Sequence, residues 1–154
     1  MFLLLVFLHI AFMFTAVALT YGPEILLLIG VRANRAESVR AVTTSTRPIA
    51  MVVPILYGLG GIFGLAAGLV AGYNLLAPWL LIAYAVFIAL TVIGVAITGP
   101  NMERLATALA GAADGPLTGD AAAVVASPAF RIAAFLDFAL LLLVLFAMVF
   151  KPFS

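Results

Sequence analysis

The chain has 154 residues, of which 67% are hydrophobic and 8% charged, and its formal net charge is +1. Soluble domains carry about 25% charged residues, so the composition excludes an ordinary soluble fold and indicates a membrane protein. The low net charge argues against a nucleic-acid-binding surface, and the absence of cysteine excludes disulfides and thiolate metal sites. The expected partners are therefore the lipid bilayer and other membrane protein subunits or further copies of this chain.

Four segments are long and apolar enough to cross a hydrocarbon core, which needs about 20 residues. The first lacks the basic start of a cleaved signal peptide and is interpreted as a retained transmembrane helix. The predicted fold is all-α, an integral-membrane four-helix bundle forming a single transmembrane domain over residues 1–154. The predicted helices cover approximately residues 2–21, 48–72, 78–98 and 129–150.

Gly-Pro pairs follow the first and third segments, and single prolines begin the second and fourth. Gly22-Pro23 and Gly99-Pro100 predict the ends of the first and third helices, with room for an interfacial turn beyond each, and Pro48 and Pro128 open the second and fourth. The order is compatible with two helix-hairpin repeats. It is equally compatible with Gly-Pro ending helices without any repeat.

The basic residues gather on one side of the predicted membrane. Four arginines lie in the first link, residues 31–47, and Arg104 and Arg131 flank the third link, whereas Lys151 lies opposite. The positive-inside rule then predicts a multi-pass protein of the bacterial inner (cytoplasmic) membrane with both termini outside the cytoplasm. Glu24 is expected to form an interfacial ion pair with Arg47 or Arg131, and the first-link arginines are alternatively ligands for anionic lipid headgroups.

The second predicted helix carries a glycine-rich face within the sequence GLGGIFGLAAGLVAG, residues 58–72. One interpretation is a glycine zipper that lets two helices approach closely, within the bundle or between protomers. The other is a bare surface for a flat cofactor such as haem or quinone. The residues assigned to this helix-packing face are Gly60, Gly61, Gly64, Gly68 and Gly72.

Two ionisable residues fall deep inside predicted spans, His9 and Asp137, and such residues are functional candidates by default. A rise of about 1.5 Å per residue places Tyr57 and Thr91 at the depth of Asp137. These three residues are predicted to form an intramembrane polar layer. The layer either fixes the register of the helices or serves as a proton or ion relay.

His9 is either a hydrogen-bonded core residue or a cofactor ligand, with Tyr84 at a similar depth as a second cofactor-binding candidate. Haem b is the cofactor considered, and Met13 cannot supply the opposite axial ligand because it lies on the same helix. Met51, Met148, an open position or a second protomer's His9 would have to complete the site. The sequence has no catalytic motif and no metal-ligand spacing, so a non-enzymatic role is favoured.

Three stretches resemble a known family: LHIAFMFTAVAL (8–19), RPIAMVVPILYGLGGIFGLAAG (47–68) and GPNMERLATAL (99–109). Together they are similar to the small four-helix bacterial membrane proteins grouped as DUF2269. That group is reminiscent of the copper-resistance D domain and of the four-helix protoporphyrinogen oxidase, both with a histidine in the first helix. The resemblance implies that His9 is the position to watch, whereas the further helix-embedded histidines of metal and haem proteins of this shape are missing.

Three functions follow from these observations as hypotheses. The first is an oligomeric or accessory structural subunit that associates through the glycine-rich face. The second is a haem- or quinone-binding redox membrane protein with His9 as ligand. The third is a small transporter or proton-conducting protein that uses Asp137.

Overall fold

The structure, a computed structural model, describes residues 1–152. Within these residues every regular element is a helix, and the predicted all-α fold class is confirmed. The elements, in chain order, are α1 (Phe2–Arg32), α2 (Ala36–Thr46), α3 (Ile49–Val70), α4 (Pro78–Ile93), a π turn (Gly94–Thr98), α5 (Gly99–Leu109), α6 (Gly119–Ala126) and α7 (Pro128–Phe150).

Four of the helical runs are long and apolar enough to cross a membrane, which confirms the expected membrane class. These runs are Phe2–Arg32, Ile49–Val70, Pro78–Leu109 and Pro128–Phe150. Their large apolar side chains are mostly exposed, among them Phe14, Ile62 and Phe135. Lipid tails solvate such side chains as well as a protein core does, so their exposure is expected of a membrane protein.

The chain forms two compact units. The first unit comprises residues 1–75 together with the short link segment 113–116, and the second comprises the described residues 76–112 and 117–152. Each unit contains two of the four membrane-spanning runs. Each is described separately below.

In the first unit, α1 and α3 run antiparallel, because early residues of α1 meet late residues of α3. The contacts pair His9 with Gly64 and Met13 with Gly60. α2 folds back against the end of α1, where Val39 packs on Gly30. A side chain at position 30 would meet Val39 Cγ2 at 3.1 Å, so glycine permits this close approach.

In the second unit, α7 packs along α4 and the π turn. Small side chains on α7, Ala133 and Ala147, are almost fully buried there, as is Trp79 at the start of α4. α7 ends at Lys151, a left-handed residue with φ 43°. The Lys151 ammonium lies 5.4 Å from the Trp79 ring centroid, and this cation–π contact joins the two helix ends.

Both Gly-Pro pairs lie inside helices, which differs from the predicted ends at Tyr21 and Thr98. α1 continues through Pro23 to Arg32, and α4 continues through the π turn and Pro100 into α5. A proline removes one backbone donor but is tolerated in membrane helices when local π adjustment or neighbouring groups serve the freed carbonyls. In the second case the Asn101 side chain donates to the Ile97 carbonyl at 2.9 Å.

The first and third links are also largely helical rather than irregular. The first contains α2, and the third contains most of α5 together with α6. Segment 113–116 of the third link docks on the start of α2. There the Ala36 N–H donates to the Gly115 carbonyl at 2.8 Å, which satisfies one of the first donors of that helix.

Candidate functional sites inside the membrane

The first candidate site is the contact between His9 on α1 and the glycines of α3. His9 Nδ1 lies 2.7 Å from the Gly60 carbonyl oxygen. A carbonyl can only accept, so Nδ1 is the protonated ring nitrogen and donates. In the neutral ring, Nε2 then carries the lone pair. The bond joins α1 to α3, and its two residues are 51 positions apart in the sequence.

Two glycines of α3 make room for side chains of α1. A Cβ at Gly64 would lie 2.6 Å from His9 Nδ1, and a Cβ at Gly60 would lie 3.0 Å from Met13 Cγ. Distances this short exclude even alanine without movement of the neighbour. The imidazole and the Met13 thioether therefore occupy the space that the missing side chains leave.

The other glycines of the predicted face behave differently. A Cβ at Gly68 would meet only Leu75 at 3.5 Å, an ordinary contact, and a Cβ at Gly61 would meet nothing within 4 Å. Gly72 follows the end of α3 with φ 73°, a left-handed conformation that glycine adopts without strain. The five glycines thus do not share one environment.

Tyr57 and Tyr84 lie in different units. The Tyr57 hydroxyl is 3.5 Å from that of Thr20, which itself donates to the Ala16 carbonyl at 2.8 Å. The Tyr84 hydroxyl on α4 is buried and has no hydrogen-bond partner in the described part of the chain. Its desolvated oxygen is therefore available to a further polar group.

Asp137 on α7 is 7% exposed and lies beside Thr98, the last residue of the π turn. The Thr98 hydroxyl is buried and has no hydrogen-bond partner among the described residues. Thr91, which the depth argument selected, instead donates to the Phe87 carbonyl of its own helix at 2.8 Å and is exposed. Thr98 was not among the residues predicted to lie beside Asp137.

The interfacial charges form contacts around α2. Arg40 donates to Asp114 at 3.2 Å, and Arg35 lies 3.5 Å from Glu37. The Gly115 N–H donates to Glu37 at 3.1 Å. The pKa of Glu37 is lowered mainly by its own backbone N–H and by that of Gly115, with smaller contributions from the two arginines.

The three interfacial residues that the sequence analysis grouped are placed as follows. Glu24 lies inside α1, one residue after Pro23, and is partly exposed. Arg47 follows α2, and Arg131 lies in the first turn of α7; both are exposed. Glu24 and Arg47 belong to the first unit and Arg131 to the second.

The residues of the chain limit which metal ions and cofactors could bind. No group of three or more His, Cys, Asp or Glu residues in the described chain could hold a metal ion. For haem, Met51 is nine residues before Gly60, about 14 Å along α3, so it cannot face a ring held by His9. Met13 already rests on Gly60.

Comparisons with known proteins add no relatives. A scan of known protein families found none that matches the chain. Searches of characterised proteins and of solved structures also found no match. The resemblance to DUF2269 stays a prediction, and the structural conclusion is a small all-α protein with four candidate membrane-spanning helices.

Proposed function

We propose that this protein is a non-enzymatic assembly subunit of a bacterial inner membrane, and that α3 associates with a second copy of the chain. The observation that supports this proposal is the contrast between its glycines. Side chains of α1 occupy the space beside Gly60 and Gly64, whereas a Cβ at Gly58 or Gly61 would meet nothing within 4 Å. Helix α3 therefore has a second pair of glycines beside which no other part of the described chain packs.

This second pair of glycines lies on a regular stripe. Pro54, Gly58, Gly61 and Leu65 follow one another at helical spacing of four, three and four residues; we call them the outer stripe. Small residues on a membrane helix permit close backbone approach and increase dispersion contacts with another helix. A helix of a second protomer is the proposed occupant.

Single-cysteine cross-linking tests this association, since the native chain contains no cysteine. We expect Gly61→Cys to form a disulfide-linked dimer in oxidised native membranes. Ile55→Cys is the control, because Ile55 is also on α3, is 62% exposed and is off the outer stripe. It should remain monomeric at the same expression level.

A second variant separates association from folding. Gly58→Leu should abolish cross-linking at Gly61→Cys while leaving the monomer as heat-stable as the parent, because no part of the chain occupies that space. Equal cross-linking at positions 55 and 61, or none at either, would contradict the proposed homo-oligomer.

A redox role with His9 as a haem b ligand is the second candidate, and one observation favours it. Ligating histidines usually donate their other ring nitrogen to a backbone carbonyl or a carboxylate, and His9 Nδ1 has this partner in Gly60. His9 Nε2 would hold the haem iron, and the bound haem would supply one-electron redox chemistry.

An absorption spectrum of the detergent-purified protein tests the redox proposal. A haem band should be present in the parent and absent in His9→Ala. His9→Gln is the control for structure, since its amide N–H can still donate to Gly60 but does not normally ligate haem. A colourless parent protein, purified from cells supplied with haem precursor, would reject haem binding.

A further inference from the structure

The second unit contains a polar site in which a carboxylate and a hydroxyl lie side by side on two packed helical elements. Its carboxylate is Asp137, 7% exposed and near the middle of α7. Its hydroxyl is that of Thr98, which is buried and lacks a hydrogen-bond partner in the described residues. Both side chains lie where α7 packs against the π turn.

The π turn supplies a third kind of oxygen. In this segment the hydrogen bonds run over five residues, and the Gly99 N–H donates to the Gly94 carbonyl. Pro100 has no N–H, so it cannot serve any carbonyl of the preceding turn. Single π turns inside helices occur frequently at functional sites, and interrupted membrane helices commonly present backbone carbonyls to Na⁺ or H⁺.

We propose that Asp137, Thr98 and the backbone carbonyls of the π turn bind a monovalent cation, either Na⁺ or a proton. A cation on the carboxyl group neutralises a charge that is costly inside the hydrocarbon region. The Thr98 hydroxyl accepts from a protonated carboxyl or ligates Na⁺ through its oxygen. This proposal does not depend on the association of α3 or on a ligand of His9.

Few other charged or titratable groups surround this site. Among the elements packed against α7, α4 contributes Tyr84, the π turn contributes none, and α6 contributes Asp120. On α7 itself, Arg131 lies six residues before Asp137, and Lys151 caps the far end. A response that depends on both Asp137 and Thr98 therefore identifies this site.

Thermal unfolding of the full chain in detergent tests binding, with Na⁺ exchanged for choline at constant ionic strength. If Na⁺ binds, it should raise Tm saturably in the parent, and Thr98→Val should weaken the apparent affinity about tenfold, as expected for losing one oxygen contact. Thr91→Val is the matched control, because that hydroxyl bonds within its own helix. Asp137→Asn should remove the response.

Infrared spectroscopy distinguishes the proton from Na⁺. If a proton binds, Tm should not respond to Na⁺. The infrared band of the Asp137 carboxyl group, identified by its absence in Asp137→Asn, should shift between the protonated and ionised frequencies as pH changes. Thr98→Val should shift the midpoint of that change, and Thr91→Val should not. Two results would overturn the proposal. One is a Tm that does not respond to Na⁺ together with an Asp137 carboxyl band that does not change with pH. The other is an equal effect of Thr98→Val and Thr91→Val.

Discussion

Gly64 illustrates how a single absent side chain can connect two membrane helices. The His9 ring occupies the position that a Cβ would take, and its Nδ1 donates to the Gly60 carbonyl one turn earlier. Hydrogen bonds between membrane helices contribute only about 0.6–2 kcal/mol. The close packing of the ring on bare backbone is therefore as important to this contact as the bond itself.

Replacing Gly64 with alanine should destabilise the protein by about 1–3 kcal/mol, the usual effect of overpacking. The new Cβ would lie 2.6 Å from His9 Nδ1, so the ring must move and lose its bond. Reversible unfolding in mixed micelles measures the change. Gly22→Ala on α1 is the control and should be neutral or slightly stabilising, since a Cβ at Gly22 would meet nothing within 4 Å; equal losses at both positions would refute the explanation.

The sequence alone identifies His9 and the glycines as unusual but does not connect them. Polarity and spacing are local properties, whereas the antiparallel register that brings His9 to Gly64 depends on the packing of α1 against α3. The same limit applies to Asp137. Depths in the third span were counted from a helix end at Thr98, whereas the helical run continues to Leu109, and Thr98 rather than Thr91 lies beside Asp137.

At the scale of elements, α2 and segment 113–116 form a docked pair held by polar contacts. The segment reaches α2 through three hydrogen bonds, from Ala36 N to Gly115 O, from Gly115 N to Glu37, and from Arg40 to Asp114. Gly115 has φ 125°, a conformation that other residues rarely adopt. No helix was predicted in these two links, since short amphipathic helices are weak signals beside four apolar runs.

The docking of segment 113–116 should weaken in acid. The folded-state pKa of Glu37 lies below its ordinary value because backbone N–H groups stabilise the carboxylate. The stability that the Glu37 carboxylate contributes to the docked segment is therefore complete above the unfolded-state pKa, and it is lost as pH falls through the folded-state pKa. Hydrogen-exchange protection of the segment, corrected for intrinsic rates, should fall over that range.

Glu37→Gln provides the control for this acid response. Its amide oxygen can still accept from Gly115, but it carries no titratable charge. The variant should show weaker protection at neutral pH and a flatter dependence on pH. An unchanged acid response in Glu37→Gln would assign the effect to another group.

On the scale of the whole molecule, the two units repeat the same order of elements. Each begins with a long helix that contains an internal Gly-Pro pair, continues through a short helix, and ends with a second span. The short helices are α2 and α6, and Pro48 and Pro128 directly precede or open the final spans. The predicted hairpin repeat was based on these prolines and remains compatible with this order. Beyond each Gly-Pro pair only an interfacial turn was expected, whereas the helices continue for several turns.

Cysteine labelling should reveal the predicted topology, in which arginine-rich links face the cytoplasm. In spheroplasts of a bacterial host, an impermeant maleimide should label Asn74→Cys, in the link after α3, from the outside. Ser45→Cys on α2 should react only after the membrane is permeabilised. Both positions are exposed, so the reverse pattern would show that the chain inserts with its termini inside.

The bond from His9 to Gly60 also has a consequence for biogenesis. Its donor is synthesised 51 residues before its acceptor, a delay of roughly 3–10 s at ordinary translation rates of about 5–20 residues per second. During that interval the nascent first helix would present an imidazole with no partner from α3. We therefore expect the insertion machinery to retain this helix beside the translocon until its glycine-bearing partner emerges.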